Sequence, residues 1–191
     1  DIHNIRFNNV STYNNNKIII NNFSYNFECG KKYAIIGKSG LGKSTLLKIL
    51  TKEVEYTGNV YISNGNLKDI SGLSLMKNIS YVEQNPFMFN DSVKNNITLF
   101  KEKYIDYDLI YKLGISEDLL NKECVGVEGS KISGGEKKRI SLARSIQENS
   151  KVIIFDEPTT GLDPKSAKNI NNYIFNYTNL DSLIIVITHD W

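Results

Sequence analysis

Apolar residues recur at two different spacings along this chain, and the switch between them predicts its layout. From Ile2 to about Cys29 the pattern is that of short strands. Ile5, Phe7 and Val10 read as alternate, inward positions, and Ile18, Ile19 and Ile20 follow a polar turn at Asn14-Asn15-Asn16. Tyr33 to Ile36 reads as a buried strand, and Leu46 to Leu50 as the first turns of a helix. Two further strands are predicted over Thr57–Ile62 and Ile79–Val82, the second ending at Glu83-Gln84 before Asn85-Pro86 breaks it. From Ser92 to about Ser150 the spacing becomes helical, through Val93, Ile97, Leu109, Ile110, Leu113, Leu119, Leu120, Ile140, Leu142, Ala143 and Ile146. Val152 to Phe155 is then an uninterrupted apolar run, suited to a parallel strand covered on both faces. A helix over Pro164–Tyr177 and a buried strand over Leu183–Ile187 complete the pattern, with Thr188-His189-Asp190 at the last strand's tip. The fold class is α/β. Residues 1–91 and 151–191 form a core with an N-terminal antiparallel β subdomain, and residues 92–150 form an inserted helical subdomain, all within one domain.

Composition changes this picture little. A net charge of +2 makes no case for nucleic acid or an anionic membrane as partner. The longest apolar runs are far short of the roughly 20 residues a membrane helix needs, so a link to a membrane must come through a partner or another part of the protein. Cys29 and Cys124 lack metal-ligand spacing and suit a reducing compartment as small buried hydrophobes. The Asn-rich stretches keep hydrophobic periodicity and are read as surface loops.

Between the strand ending at Ile36 and the helix near Lys43 lies Gly-Lys-Ser-Gly-Leu-Gly-Lys-Ser-Thr, from Gly37 to Thr45. Gly37, Gly40 and Gly42 let the backbone wrap tightly and turn successive N–H groups inward, which makes a cradle for phosphate oxygens. Lys43 would reach the β- and γ-phosphates, Ser44 would ligate Mg²⁺, and Thr45 would add a contact nearer the α-phosphate. A flexible Gly/Ser turn is the plainer alternative, but it leaves the strand before and the helix after unexplained.

Asp156 and Glu157 follow the Val152–Phe155 run, at the end of a strand where ligands of open α/β sheets sit. Asp156 can hold Mg²⁺ directly or through water, while Glu157 can polarise the water that attacks a γ-phosphate. His189, at the tip of the next core strand, can contact the γ-phosphate and orient that water, or be an ordinary surface histidine. Gln84 offers a donor and an acceptor to the Mg²⁺ water shell. A second phosphate-binding element follows from Ser133-Gly134-Gly135-Glu136, a serine and two glycines at a helix start. One nucleotide needs one γ-phosphate cradle. The economical arrangement is therefore a head-to-tail dimer in which each serine loop closes the other subunit's site.

Together these motifs make the chain resemble, over nearly all its length, the nucleotide-binding domain of the ATP-binding cassette (ABC) family. Gly37 to Ser44 matches the Walker A motif, including Ser39, and Gln84 the Q-loop. Ile132 to Glu136 matches the LSGGQ-type signature, and Val152 to Glu157 matches Walker B with its catalytic glutamate. Thr160-Gly161-Leu162-Asp163 looks like the D-loop, and His189 like the H-loop. The resemblance implies a P-loop NTPase core of RecA type, ATPase activity with ATP and Mg²⁺, and a dimer holding two ATP molecules. It also implies that Tyr13, read here as lying in a polar turn, stacks on adenine, although by position alone a lone Tyr is more often a half-buried packing residue. Ile132 stands for the usual Leu and Glu136 for the usual Gln. Near Val125 to Gly129 the Gly-Glu pair common in exporters is interrupted by Val127, which puts the matching cross-talk with a membrane domain in doubt. Family members usually continue for several elements past the histidine, whereas this sequence stops at Trp191.

The stretch from Gln84 to Ile97 is similar to the exporter type, in which aromatics line a groove for a coupling helix; Phe87, Met88 and Phe89 could instead be ordinary core. The reading is then the energy-supplying domain of an exporter of peptides, lipids or drugs, at the cytoplasmic face of the cell membrane. It would pair with a second copy or a related cassette, with a transmembrane domain preceding Asp1. The competing class is a soluble ABC ATPase of DNA repair or translation. Repair members carry a long coiled coil between Walker A and the signature, absent between Ser44 and Ser133, and translation members carry two cassettes. A simple P-loop kinase or GTPase would leave Ser133-Gly134-Gly135 without a role.

Overall fold

The computed structural model describes residues 2–15, 17–102, 104–176 and 181–189. Asn16 of the polar turn, the predicted helix end at Tyr177, Asp190 at the strand tip and the terminal Trp191 lie outside the described residues. The chain divides into two compact units, one of Asp1–Tyr81, Ser150–Asp156 and Asn179–Trp191, the other of Val82–Asn149 and Glu157–Thr178. Among the described residues no helix is long and apolar enough to cross a membrane.

The first unit holds an antiparallel and a parallel sheet. Strands β1 (Asn4–Asn14) and β2 (Lys17–Glu28) form a hairpin. With β4 (Thr57–Ile62) and β5 (Gly65–Asn66) they make an antiparallel sheet in the order β2-β1-β4-β5. Ile5, Phe7 and Val10 are all buried, yet Val10 is three residues after Phe7 rather than two. A register shift between Phe7 and Val10, with Asn9 at φ 49°, supplies the extra residue and returns Val10 to the inward face. The expected simple alternation is thus corrected by a β-bulge. Gly58 answers it from β4: its φ is 85°, and a Cβ there would stand 2.3 Å from the Asn9 carbonyl oxygen.

The second sheet has the order β3-β8-β7-β6, from β3 (Lys32–Ile36), β8 (Leu183–Thr188), β7 (Val152–Asp156) and β6 (Ile79–Val82). β3 and β7 both pair parallel to β8. β7 is buried at every position, as its unbroken apolar run requires. β3 is not the buried strand expected from Tyr33 to Ile36, because it forms the sheet's edge: Ala34 and Ile36 are exposed, Tyr33 and Ile35 half-buried. Val152, Ile154, Leu183, Ile185 and Ile187 join Ile5, Phe7, Phe27, Val60 and Leu67 in one core. Helix α1 (Lys43–Lys48) adds Leu46 and Leu47, and Ile49 and Leu50 join them from the turn that ends it, so the helix is shorter than the apolar run suggests. Helix α2 (Gly72–Asn78) is capped by the Ser71 hydroxyl and buries Leu75. Cys29 is half-buried rather than buried, and burial pushes its thiol pKa up.

The second unit is helical: α3 (Val93–Thr98), α4 (Tyr107–Lys112), α5 (Glu117–Leu120), α6 (Gly134–Gln147) and α7 (Pro164–Asn176). Polar residues just before four of these set their starts. The side chains of Ser92, Asp106, Ser116 and Ser133 accept from the N–H three residues on, satisfying donors no helical carbonyl reaches. α3 and α6 are joined by Arg144, whose Nε donates to the Asn96 carbonyl at 2.7 Å. Burial pushes the Arg144 pKa down to about 10. Asn96, itself fully buried, donates to the carbonyls of Phe89 and Ser92 and accepts from the Phe89 N–H at 2.8 Å. Cys124, half-buried as well, donates its thiol to Asn90.

Gly58→Ala is expected to lower unfolding free energy in urea by about 2–4 kcal/mol, since it adds a backbone clash to a left-handed conformation. A loss below ~0.5 kcal/mol would show that the bulge and Gly58 do not constrain one another.

Candidate functional site

The parallel register fixes which residues leave the first unit's sheet together. Ile36 pairs with Thr188, and Asp156 with Ile187. Gly37, Asp156 and His189 therefore stand at the carboxyl ends of three adjacent strands, the edge at which open α/β sheets bind ligands. The loop after Ile36 has Gly40 at φ 80° and Gly42 at φ 82°. A Cβ on Gly42 would lie 2.7 Å from Ile19 Cγ2 and 2.9 Å from Ile20 Cδ1, so only glycine lets the loop close against β2 before α1 begins. Lys43 folds back over the loop: its Nζ donates to the Gly37 carbonyl at 2.5 Å and to the Lys38 carbonyl at 2.9 Å. Ser39 lies in the exposed turn of the loop, and Ser44 and Thr45 sit half-buried in the first turn of α1.

Asp156 is buried, and its Oδ2 accepts the Tyr81 hydroxyl at 2.7 Å. Tyr81 is also hydrogen-bonded to Ser44, so the three side chains form one line. Burial, then the bond to Asp156, pushes the Tyr81 pKa far above its ordinary value, which keeps the phenol a donor. The apolar pattern marks Tyr81 only as a strand residue, and its place three residues before Gln84 carries no signal of this contact. His189 is exposed just past β8. Tyr13 is not in the turn where it was expected. The hairpin pairs through Asn14 and Lys17, so Tyr13 is the penultimate residue of β1, opposite Ile18, with 53% of its surface exposed.

The second unit carries the other predicted residues. Ser133 caps α6 through a reciprocal box: the Glu136 N–H donates to Ser133 Oγ, and the Ser133 N–H donates to Glu136 Oε2 at 2.6 Å. Glu136 thus has a structural role at the helix start. Gly134 is exposed with open space where a Cβ would be, and Gly135 faces Leu162, whose Cδ2 would be 3.2 Å from a Cβ. Asp163 Oδ1 accepts from the N–H groups of Lys165 and Ser166 at the start of α7. Hydrogen bonds from Ser166, first its side chain and then its backbone, hold the Asp163 carboxyl below its usual range.

Glu157 has φ 48°, a left-handed conformation costing a non-glycine residue about 1–2 kcal/mol. Its carboxylate is held in place: Oε2 accepts from Gln84 Nε2 at 2.9 Å and from the Thr160 hydroxyl at 3.1 Å. Gln84 and Glu157, far apart in sequence, are thereby brought into contact. Thr160 was singled out only for its motif, and its hydroxyl is a further partner of the glutamate. Beside this turn is a cavity of about 720 Å³ lined in part by Gln84, Pro86, Phe87, Met88, Lys138 and Leu162. Met88 is core, whereas Phe87 and Phe89 are exposed with rings edge to face at 5.1 Å, so the three residues divide between the two readings offered for them.

In the first unit Ser44 and Asp156 bring a hydroxyl and a carboxylate, linked through the Tyr81 hydroxyl. Hard oxygen donors with few carboxylates suit Mg²⁺ that keeps water and phosphate in its shell. The residues present fit such an ion.

Comparison with known proteins identifies the family. The family profile for ABC transporter matches residues 20–160. The chain is 39% identical over 191 residues to ABC transporter ATM1 of Plasmodium falciparum (isolate 3D7), covering 95% of this chain and 18% of that protein. It is 32% identical over 180 residues to the ATP-dependent lipid A-core flippase of Aliivibrio fischeri, covering 89% of this chain and 31% of the flippase. The structure of a bacterial Atm1-family ABC exporter with ATP bound superimposes with a TM-score of 0.86 at 26% identity, over 100% of this chain and 35% of that one. The chain thus spans about a third or less of these relatives' length. With its P-loop core, antiparallel β subdomain and helical subdomain, and the nucleotide binding that goes with them, the chain belongs to the ABC transporter family.

Proposed function

We propose that this chain binds and hydrolyses ATP to power an exporter, working as a head-to-tail pair of cassettes. The observation that carries this reading is the strand-end edge where Gly37, Asp156 and His189 stand at the tips of three adjacent strands, with Lys43 folded over its glycine loop. The loop's N–H groups and Lys43 hold the β- and γ-phosphates, with Gly37, Ser39, Gly40, Gly42 and Thr45 forming the cradle. Tyr13, largely exposed, stacks on the adenine ring. Ser44 and Asp156 are the residues for Mg²⁺, and Gln84 for its water shell; the ion supplies charge neutralisation at the phosphates. Glu157 accepts the proton of the attacking water, and His189 orients that water against the γ-phosphate.

Ser133, Gly134 and Gly135 serve the ATP of a second copy or related cassette, and Asp163 lies in the loop that faces it. The Ser133 oxygen accepts within its capping box, which leaves its O–H hydrogen able to donate to a phosphate oxygen. ATP-bound pairs close and hydrolysed pairs open, a shift in population set by the difference in ATP affinity between the two states. A transmembrane domain, N-terminal to this chain in the whole protein, receives that motion at the cytoplasmic face of the membrane. The relatives named as exporters and a flippase support transport over a soluble role in repair or translation.

Glu157→Gln should keep ATP affinity and slow hydrolysis by about 10²- to 10⁴-fold, the range for losing a general base. Normal turnover in that variant, measured by phosphate release, would refute the assignment. Lys43→Ala should weaken ATP binding itself, so an unchanged dissociation constant by titration calorimetry counts against its phosphate role. Tyr81→Phe strips a donor from the buried Asp156 carboxylate and is expected to cost about 1–3 kcal/mol in urea unfolding. Unaltered stability would mean the Tyr81–Asp156 bond is replaced by water.

A further inference from the structure

Helix α6 begins Gly134-Gly135-Glu136-Lys137-Lys138-Arg139, a run that in sequence looks like a solvated charged face. The structure separates these residues. Arg139 donates to the Ser166 hydroxyl, while Lys138 is only 9% exposed. A buried ammonium must have its N–H groups satisfied, and those of Lys138 go to backbone. Its Nζ donates to the Glu157 carbonyl at 3.4 Å and to the Thr160 carbonyl. Burial lowers the Lys138 pKa, and the nearby Glu157 charge opposes that shift.

Both carbonyls belong to one turn, in which the Thr160 N–H also donates to the Glu157 oxygen and the Leu162 N–H to the Thr159 oxygen. This turn starts with the left-handed Glu157, a backbone state that persists only where its surroundings over-determine it. Gln84 and the Thr160 hydroxyl fix the glutamate's side chain, but neither holds its main chain. Lys138 does.

We propose that Lys138 is a positioning residue for Glu157: from the helix that Ser133 caps, its ammonium clamps the 157–160 turn and so sets the direction of the Glu157 carboxylate. The catalytic part of this inference rests on Glu157 being the general base; the clamp itself does not. Displacement of a catalytic group by about 1 Å costs up to roughly 100-fold in rate, so the clamp acts on turnover and leaves ATP binding, which belongs to the glycine loop, alone.

The test compares Lys138→Met, which keeps length and removes the donors, with Lys138→Arg, which keeps charge and donors. In the purified full chain, amide hydrogen exchange at Thr160 and Leu162 should accelerate at least about tenfold in Lys138→Met, with exchange in the rest of α6 unchanged. The turnover number should fall by roughly 10- to 100-fold with the MgATP dissociation constant within about twofold of wild type, and Lys138→Arg should recover most of both effects. Unchanged exchange at Thr160 and Leu162 would overturn the clamp. Faster exchange with wild-type turnover would overturn the positioning of Glu157. Should Lys138→Met lose protection throughout α6, Lys138→Gln is judged by the same criteria. If the wild-type protein binds ATP without hydrolysing it, the proposed function fails, and the exchange measurement still decides the clamp.

Discussion

The site in the first unit depends on β8 lying between β3 and β7 in parallel register. Parallel strands exchange evenly spaced hydrogen bonds, and a slip of one residue would turn every side chain to the opposite face. β7 and β8 are buried on both faces, so their register is held by how these side chains interdigitate in close-packed surroundings rather than by a polar face. The same register brings the three strand ends to one edge of the sheet, with Asp156 opposite Ile187 and Ile36 opposite Thr188. Chemistry at Gly37, Asp156 and His189 is thus aligned by hydrocarbon packing several residues away.

Polar groups near the predicted chemistry are engaged twice over. Asp156 receives Tyr81, which is itself bonded to Ser44; Glu157 receives Gln84 and Thr160 on one oxygen. Such networks orient carboxylates better than packing can, since a hydrogen bond fixes direction as well as distance. The capping box at Ser133 acts likewise, holding an exposed loop by bonds within its own first turn. In each case a residue with chemical potential is restrained by hydrogen bonds from its neighbours.

Much of this was legible in the sequence, for identifiable reasons. The glycine loop, the Val152–Phe155 run and the serine-glycine helix start combine spacing with residue types that few other structures require. The helical spacing from Ser92 onward likewise marked α3 to α6. What escaped is tertiary. The bulge that restores Val10 to the core depends on Gly58 in another strand, and nothing local to Asn8-Asn9 announces it. β3 looked buried because its composition is apolar, while its exposure follows from its place at the sheet's edge. Lys138 is hidden in a basic run, Tyr81 in a strand pattern, and the left-handed Glu157 carries no compositional mark, since φ there is set by the groups that grip the turn.

The folded-back Lys43 has a consequence for recognition. An ammonium carries three N–H bonds, and two of them already meet the Gly37 and Lys38 carbonyls. One remains, and its heading is dictated by the other two. The charge is therefore presented along a single vector rather than as a sphere of attraction, in the manner of a peg tied by two guy ropes. A planar guanidinium in its stead would keep the charge yet spread its five hydrogens in a sheet, losing that aim.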